Sequence, residues 1–173
     1  MNHPGFGILD PVNDHDISLG AMRDRVQEAV SWTREERYDE AIGVFEKYLP
    51  ILSSEGDLQD KRVAAASFSY YGVCIAMVNH KYADAIKYCN LSVKANFLDP
   101  EHRINLALVY LERDDRKNAV QHLEAGLRLE PSSRRIHRIF RDIGQRKGVM
   151  FRFLSRRNPI NQWFGRIREP KAQ

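Results

Sequence analysis

The sequence predicts an all-α protein, a solenoid of about three helix–turn–helix pairs closed by a further capping helix. Two observations carry this. The stretch KYADAIKYCNLSVKANFLDP, residues 81–100, is written again 34 residues later as RKNAVQHLEAGLRLEP. In that register Ala85 falls on Ala119, Ile86 on Val120, Cys89 on Leu123, Val93 on Leu127 and Ala95 on Leu129. Apolar residues also recur at helical spacing, between short turns, along most of the chain. A helix pair repeated at such an interval signals a stacked array. Each pair has two apolar faces and cannot cover both alone, so neighbours stack to bury one continuous core.

Residues 1–20 hold Pro4, Gly5, Gly7, Pro11 and Gly20 without a period and read as a flexible lead-in. From Met22 to Glu35 the stripe Met22, Val26, Ala29, Val30 and Trp32 predicts the first helix. Tyr38 to about Leu52 repeats it with Ala41, Ile42, Phe45, Tyr48 and Leu49, and SSEGD at 53–57 breaks it. Residues 58–78 form a third helix rich in small and aromatic side chains, and NHK turns into a fourth at 82–96. Asp99 is the expected N-cap of the fifth, with Pro100 at its first position. ERDDR turns into a sixth helix at 116–129, and EPSS opens a seventh at about 133–146. The first pair is offset, because Ala41 to Ala85 spans 44 residues. Ten extra residues therefore lie around LPILSSEGDL, as a longer connection or as longer flanking helices. The resulting division is a lead-in at 1–20, three pairs at 21–131, a capping helix at 132–148 and a tail at 149–173.

Composition narrows the function classes. Apolar residues make up 43%, enough for a core, and charged residues 29%, as an amphipathic surface requires. No run approaches the ~18 apolar residues of a membrane span. The opening MNHPGFGILDPVNDHD shows neither a basic nor an apolar signal region, so a cytoplasmic protein is expected. Cys74 and Cys89 lie in helical patterns without metal spacing and read as buried, reduced thiols. His3, His15, His80, His102, His122 and His137 are scattered, and the glycines are isolated. Neither a metal set nor a phosphate loop is written, so no enzyme activity, no cofactor and no metal is expected. Charge divides the chain. Residues 1–131 hold 15 Lys+Arg against 21 Asp+Glu, a net of −6; residues 132–173 hold 12 against 2, a net of +10.

The repeats resemble the tetratricopeptide repeat. In the third, Leu106-Ala107, Tyr110, Ala119, Leu123, Gly126 and Pro131 stand in the family's slots, while Arg103 replaces its first aromatic. In the second, Phe68, Tyr71-Gly72, Ile75, Ala85, Cys89 and Ser92 do so, with one extra residue in the turn and Phe97 in place of the closing Pro. In the first, Ala29, Trp32, Ala41, Phe45 and Tyr48 fit, and the closing Pro is displaced. The resemblance covers about residues 22–131 and implies a right-handed superhelix. Gly72, Ala85, Ala107 and Ala119 then leave room where the helices of a pair cross at about 8 Å.

The resemblance also implies a function, binding of a partner's peptide or amphipathic helix in a concave groove lined by the first helix of each pair. Its slots place there Ser69, Val73, Ala76 and Met77 from the second repeat. Ile104, Asn105, Leu108, Leu111 and Glu112 follow from the third, and Val26, Val30 and Thr33 from the first. The chaperone-binding branch clamps a C-terminal carboxylate with Lys, Arg and Asn; only Asn105 sits in such a slot here, which argues against that ligand. A small chaperone for a secreted partner is a close variant of the adaptor reading.

The tail MFRFLSRRNPINQWFGRIR alternates aromatics with arginines, and its ending is similar to that of small stand-alone bacterial proteins of the same type. Three readings stand. The tail caps the last repeat, or docks a protein partner, or meets nucleic acid or an anionic membrane. In the first, residues 149–168 fold onto Ile136, Ile139, Phe140 and Ile143, and Arg134, Arg135, Arg138 and Arg141 form an outward basic surface. Occupation of the groove by the chain's own termini is an alternative to a partner, and self-association is a further one.

Overall fold

The structure, a computed structural model, describes residues 17–145. Seven α-helices run in order: α1 (Leu19–Arg34), α2 (Tyr38–Ser54), α3 (Leu58–Cys74), α4 (Tyr82–Ala95), α5 (Pro100–Glu112), α6 (Arg116–Leu129) and α7 (Arg134–Gln145), with a π-helical turn, Ile75–Asn79, extending α3. The described residues contain no strand. The chain divides into two compact units, Met1–Pro131 and Ser132–Gln173.

In the first unit α1 packs on α2, α3 on α4 and α5 on α6. Each new first helix also meets both helices of the pair before it, so α3 touches α1 and α2, and α5 touches α3 and α4. The core comprises two buried clusters, and the partly buried Tyr38, Ile42 and Tyr71 pack against both. Phe45, Leu49 and Leu52 of α2 are buried with Val26 of α1, while Leu106 and Val109 of α5 are buried with Val73, Ala85 and Cys89.

Local chemistry sets the helix ends. α1 starts at Leu19, three residues ahead of the expected Met22, because the Ser18 hydroxyl accepts the Ala21 N–H at 3.3 Å and stabilises an earlier first turn. Asp57 and Asp60 cap α3 reciprocally: Asp60 N–H to Asp57 Oδ1 at 2.8 Å, and Asp57 N–H to Asp60 Oδ2 at 3.2 Å. Asp99 caps α5 by accepting the Glu101 N–H, with Pro100 at the first position, as expected. The ten extra residues lengthen the flanking helices: α2 and α3 run 17 residues each, and only residues 55–57 join them. The displaced proline, Pro50, lies inside α2. A Cβ on Gly56 would stand 2.5 Å from the Leu52 carbonyl, so this short connection needs glycine.

The three intra-repeat turns share one backbone solution. Glu36, His80 and Asp114, each two residues before a second helix, are left-handed with φ of 64°, 55° and 67°. The residues that follow, Arg37, Lys81 and Asp115, have φ/ψ of −87/64°, −85/69° and −93/72°. The extra residue of the second repeat is absorbed in the π-helical turn, which lets the same turn geometry follow.

Gly72 sits where α3 crosses α4. A Cβ there would lie 2.6 Å from Cys89 Sγ and 2.7 Å from the Ala85 carbonyl oxygen. Ala85, Ala107 and Ala119 are fully buried, in keeping with their role as small crossing residues. Both cysteines are buried and free; burial pushes the Cys74 thiol up to about 11 and raises that of Cys89 further.

In the second unit, Ile136 and Ile143 of α7 are buried, and Ile139 and Phe140 are half-buried. The readings that concern residues 1–16 and 146–173, among them the fold-back of the tail, lie outside the described residues.

Candidate functional site

The first-helix side of the three pairs is held together by polar contacts between successive first helices. Arg23 of α1 pairs with Asp60 of α3 at 3.1 Å, and Arg34 donates to the Tyr70 hydroxyl at 2.7 Å. Thr33 Oγ1 lies 3.4 Å from Cys74 Sγ. Between α3 and α5 the Ser69 hydroxyl is the hub. It lies 2.9 Å from His102 Nδ1 and accepts Asn105 Nδ2–H at 3.1 Å. Ser92 of α4 reinforces the same point. Its hydroxyl accepts the Ser69 N–H at 2.7 Å and donates to the Ala65 carbonyl at 2.6 Å, two groups that an undisturbed helix would join to each other.

His102 Nε2 lies 3.6 Å from Asp99 Oδ2. Burial lowers the His102 pKa below its ordinary value, against the opposing pull of Asp99 and Glu101, so the ring is held neutral. Ser, His and Asp in this order invite comparison with a nucleophilic triad. Ser69 is 0% and His102 1% exposed, however, so a substrate reaches the hydroxyl only if α3 and α5 part. The cluster acts as a buried clasp between repeats.

This clasp decides where the groove residues stand. Ser69, Val73, Ala76, Ile104 and Asn105 are buried, as are Val26, Val30 and Thr33. Val73 thus differs from the partial exposure expected of a groove position. The physical reason is the run of small side chains on α3, Ala64 to Ser67 and Ser69, continued by Ala76 in the π-helical turn. With so little bulk between them, the first helices close on one another and their groove-slot side chains are spent on that contact. Met77, Leu108 and Leu111 keep part of their surface, with Glu112 beside them. The Asn105 amide is engaged by Ser69 and is not free to clamp a carboxylate. Arg134, Arg138 and Arg141 are exposed on α7, and Arg135 is half-buried.

Sequence reasoning missed a second feature, where α3 meets the second helices on either side of it in the chain. A cavity of about 410 Å³ opens between α2, α3 and α4, lined by Phe45, Phe68, Tyr71 and Tyr88 with Glu46 and Pro50 on α2. Ring centroids are 4.8 Å apart for Tyr71–Tyr88, 5.7 Å for Phe68–Tyr88 and 6.0 Å for Phe45–Tyr71. Phe45 is fully buried, while the other three rings are half-buried. Burial, then the nearby Glu46 carboxylate, pushes the Tyr71 hydroxyl up to about 12; Asp84 adds to this. The signal present in the sequence was the aromatic content of the third helix, but only packing brings the rings of the three helices together.

Helix pairs stacked in this way, with shared turns and first helices in mutual contact, define a helical-repeat solenoid. The chain has the tetratricopeptide-repeat fold. It is similar to the first TPR domain of the human RPAP3 protein, seen by NMR, at 20% identity and a TM-score of 0.55, over 74% of this chain and 93% of that one. It is also similar to the first TPR of Spaghetti (RPAP3) bound to the HSP90 peptide SRMEEVD, at 18% identity and a TM-score of 0.54, over 75% of this chain and 94% of that one. No protein-family model and no curated protein matches the chain.

Proposed function

We propose that the protein is an interaction adaptor that holds a partner's peptide or amphipathic helix against its first-helix side. The observation that carries this is the partly exposed apolar surface of Met77, Leu108 and Leu111, which the otherwise closed first helices leave open. Leu108 and Leu111 lie one helical turn apart on α5, the spacing that meets the i, i+3 anchors of a docked helix. The similarity to a domain bound to a peptide supports a peptide-holding role. An acidic C-terminal ligand such as SRMEEVD is not the partner expected here, because Asn105 is engaged in the clasp and the basic slots of the carboxylate clamp are missing.

Display of random peptides against the full chain tests the reading. Selected peptides should carry apolar anchors, and Leu108→Glu should abolish their binding while leaving helicity intact, since it adds an unpaired charge to an apolar surface. Binding unchanged in that variant refutes the site. Affinity that falls steeply with salt would instead move binding to Arg134, Arg138 and Arg141 of α7, as counterion release from an anionic polymer requires.

A further inference from the structure

The cavity between α2, α3 and α4 shares no lining residue with the groove proposed above, and its chemistry is distinct. Four aromatic rings line it, of which Phe68, Tyr71 and Tyr88 keep exposed surface while Phe45 is fully buried; Glu46 supplies the one charged group of the lining, beside the hydroxyls of Ser53, Tyr71 and Tyr88. Glu46 stands exposed at the lining. The Glu46 carbonyl is left without its usual helical donor, because the residue four positions on is Pro50, which has no N–H. No Lys or Arg lines the cavity. An anion there would face Glu46 and the negative faces of the rings. A neutral apolar group would fill the space but would leave the carboxylate without use.

A cation gains from both features. Ring faces attract an ammonium placed within about 6 Å of their centroids, and the attraction grows as water is excluded. Neighbouring centroids here stand 4.8–6.0 Å apart, so a head group of a few ångströms in contact with one ring lies in range of the next. Charge over a longer range agrees, since residues 1–131 carry 15 Lys+Arg against 21 Asp+Glu and draw a basic partner. Burial and the Glu46 carboxylate together push up the Tyr71 hydroxyl, in keeping with a negative charge at this lining.

We propose that the aromatic cavity formed by Phe45, Phe68, Tyr71 and Tyr88, with Glu46 at its lining, is a pocket for the alkylammonium head of a lysine side chain, bare or methylated, on a protein partner. The pocket makes the junction of α2, α3 and α4 a docking surface separate from the groove. The proposal does not rest on the groove reading, because no lining residue is shared.

Its test uses N-acetyl-trimethyllysine methylamide and N-acetyl-lysine methylamide as probes, with N-acetyl-norleucine methylamide as a neutral control of similar stem. The ring resonances of Tyr71 and Tyr88 are followed by NMR in the full chain. Saturable shifts with one or both lysine probes are expected, with the norleucine probe at least about tenfold weaker. Glu46→Gln, an exposed substitution that leaves the fold untouched, should weaken the lysine probes severalfold and leave norleucine unchanged. Tyr88→Leu should abolish binding of both lysine probes. Equal binding of norleucine would show an apolar slot and overturn the proposal. So would the absence of any saturable shift below about 100 mM probe. Shifts of the same resonances on raising protein concentration alone would assign the cavity to a second copy of the chain, and would overturn it too.

Discussion

Replacing Gly72 with alanine adds one methyl group to the crossing of α3 and α4, and the structure states what that methyl meets. Its carbon would lie 2.6 Å from Cys89 Sγ and 2.7 Å from the Ala85 carbonyl oxygen. Neither neighbour yields easily. Cys89 is fully buried, and the carbonyl belongs to the backbone of α4, so relief requires the two helices to separate. Overpacking of this kind costs about 1–3 kcal/mol. Alanine returns roughly 1 kcal/mol through its better helix propensity, so the net loss expected is about 0–2 kcal/mol. Gly43 provides the opposing control. It is exposed on α2, and a Cβ there meets nothing within 4 Å. The same substitution at Gly43 should therefore stabilise by about 0.5–1 kcal/mol. Urea unfolding followed by circular dichroism measures both variants, and a difference of 1 kcal/mol corresponds to roughly 2–4 °C in Tm for a chain of this size. Cys89→Ala in the Gly72→Ala background should recover part of the loss, because it removes one of the two clashing atoms. Equal stabilisation by Gly72→Ala and Gly43→Ala would refute the register of the α3–α4 crossing.

Further predictions concern the turns and the clasp. Glu36, exposed at φ 64°, should gain roughly 0.5–1 kcal/mol when replaced by glycine, which adopts the left-handed region freely, and thermal unfolding reads this directly. Lys81→Asp should stabilise by about 1 kcal/mol, since Lys81 shares its backbone geometry with Asp115, whose side chain accepts the Asn118 N–H, while Lys81 caps nothing. The pH dependence follows from His102 and His122, both lowered by burial from an ordinary 6.5. Each is neutral in the folded chain and takes a proton more readily when unfolded. The stability they support is therefore complete above about pH 6.5 and falls as pH drops below it, toward the lowered folded values. His102→Gln should flatten that slope in urea titrations at pH 7.5 and 5.5, and an unchanged slope would mean that the ring titrates normally in the clasp.

Spacing along the chain carried most of the secondary structure. Apolar periodicity places α2, α4 and α6 within two residues of their observed ends, because each has one buried stripe and a turn on either side. Asp99-Pro100 marks the start of α5 because capping is a local interaction between neighbours. The 34-residue recurrence implied stacking, since an isolated pair leaves a face in water. Gly72 was legible as a crossing residue through its slot in the repeat that the chain resembles.

What the sequence left open depends on how closely separate helices approach, and no local pattern encodes that. Ser69 reads as a groove position by its place in the repeat, yet it is the hub of a buried clasp with His102, Asn105 and Ser92, which come from two other helices. The small residues of α3 were visible, but the approach of α5 that they permit is a property of packing. The aromatic cavity is of the same kind. Phe45, Tyr71 and Tyr88 each serve a helical stripe of their own, and only the stacking of α2, α3 and α4 turns three stripes into one pocket with Glu46 at its lining. Local chemistry wrote the helices and turns, and tertiary packing decided which side chains remain for a partner to meet.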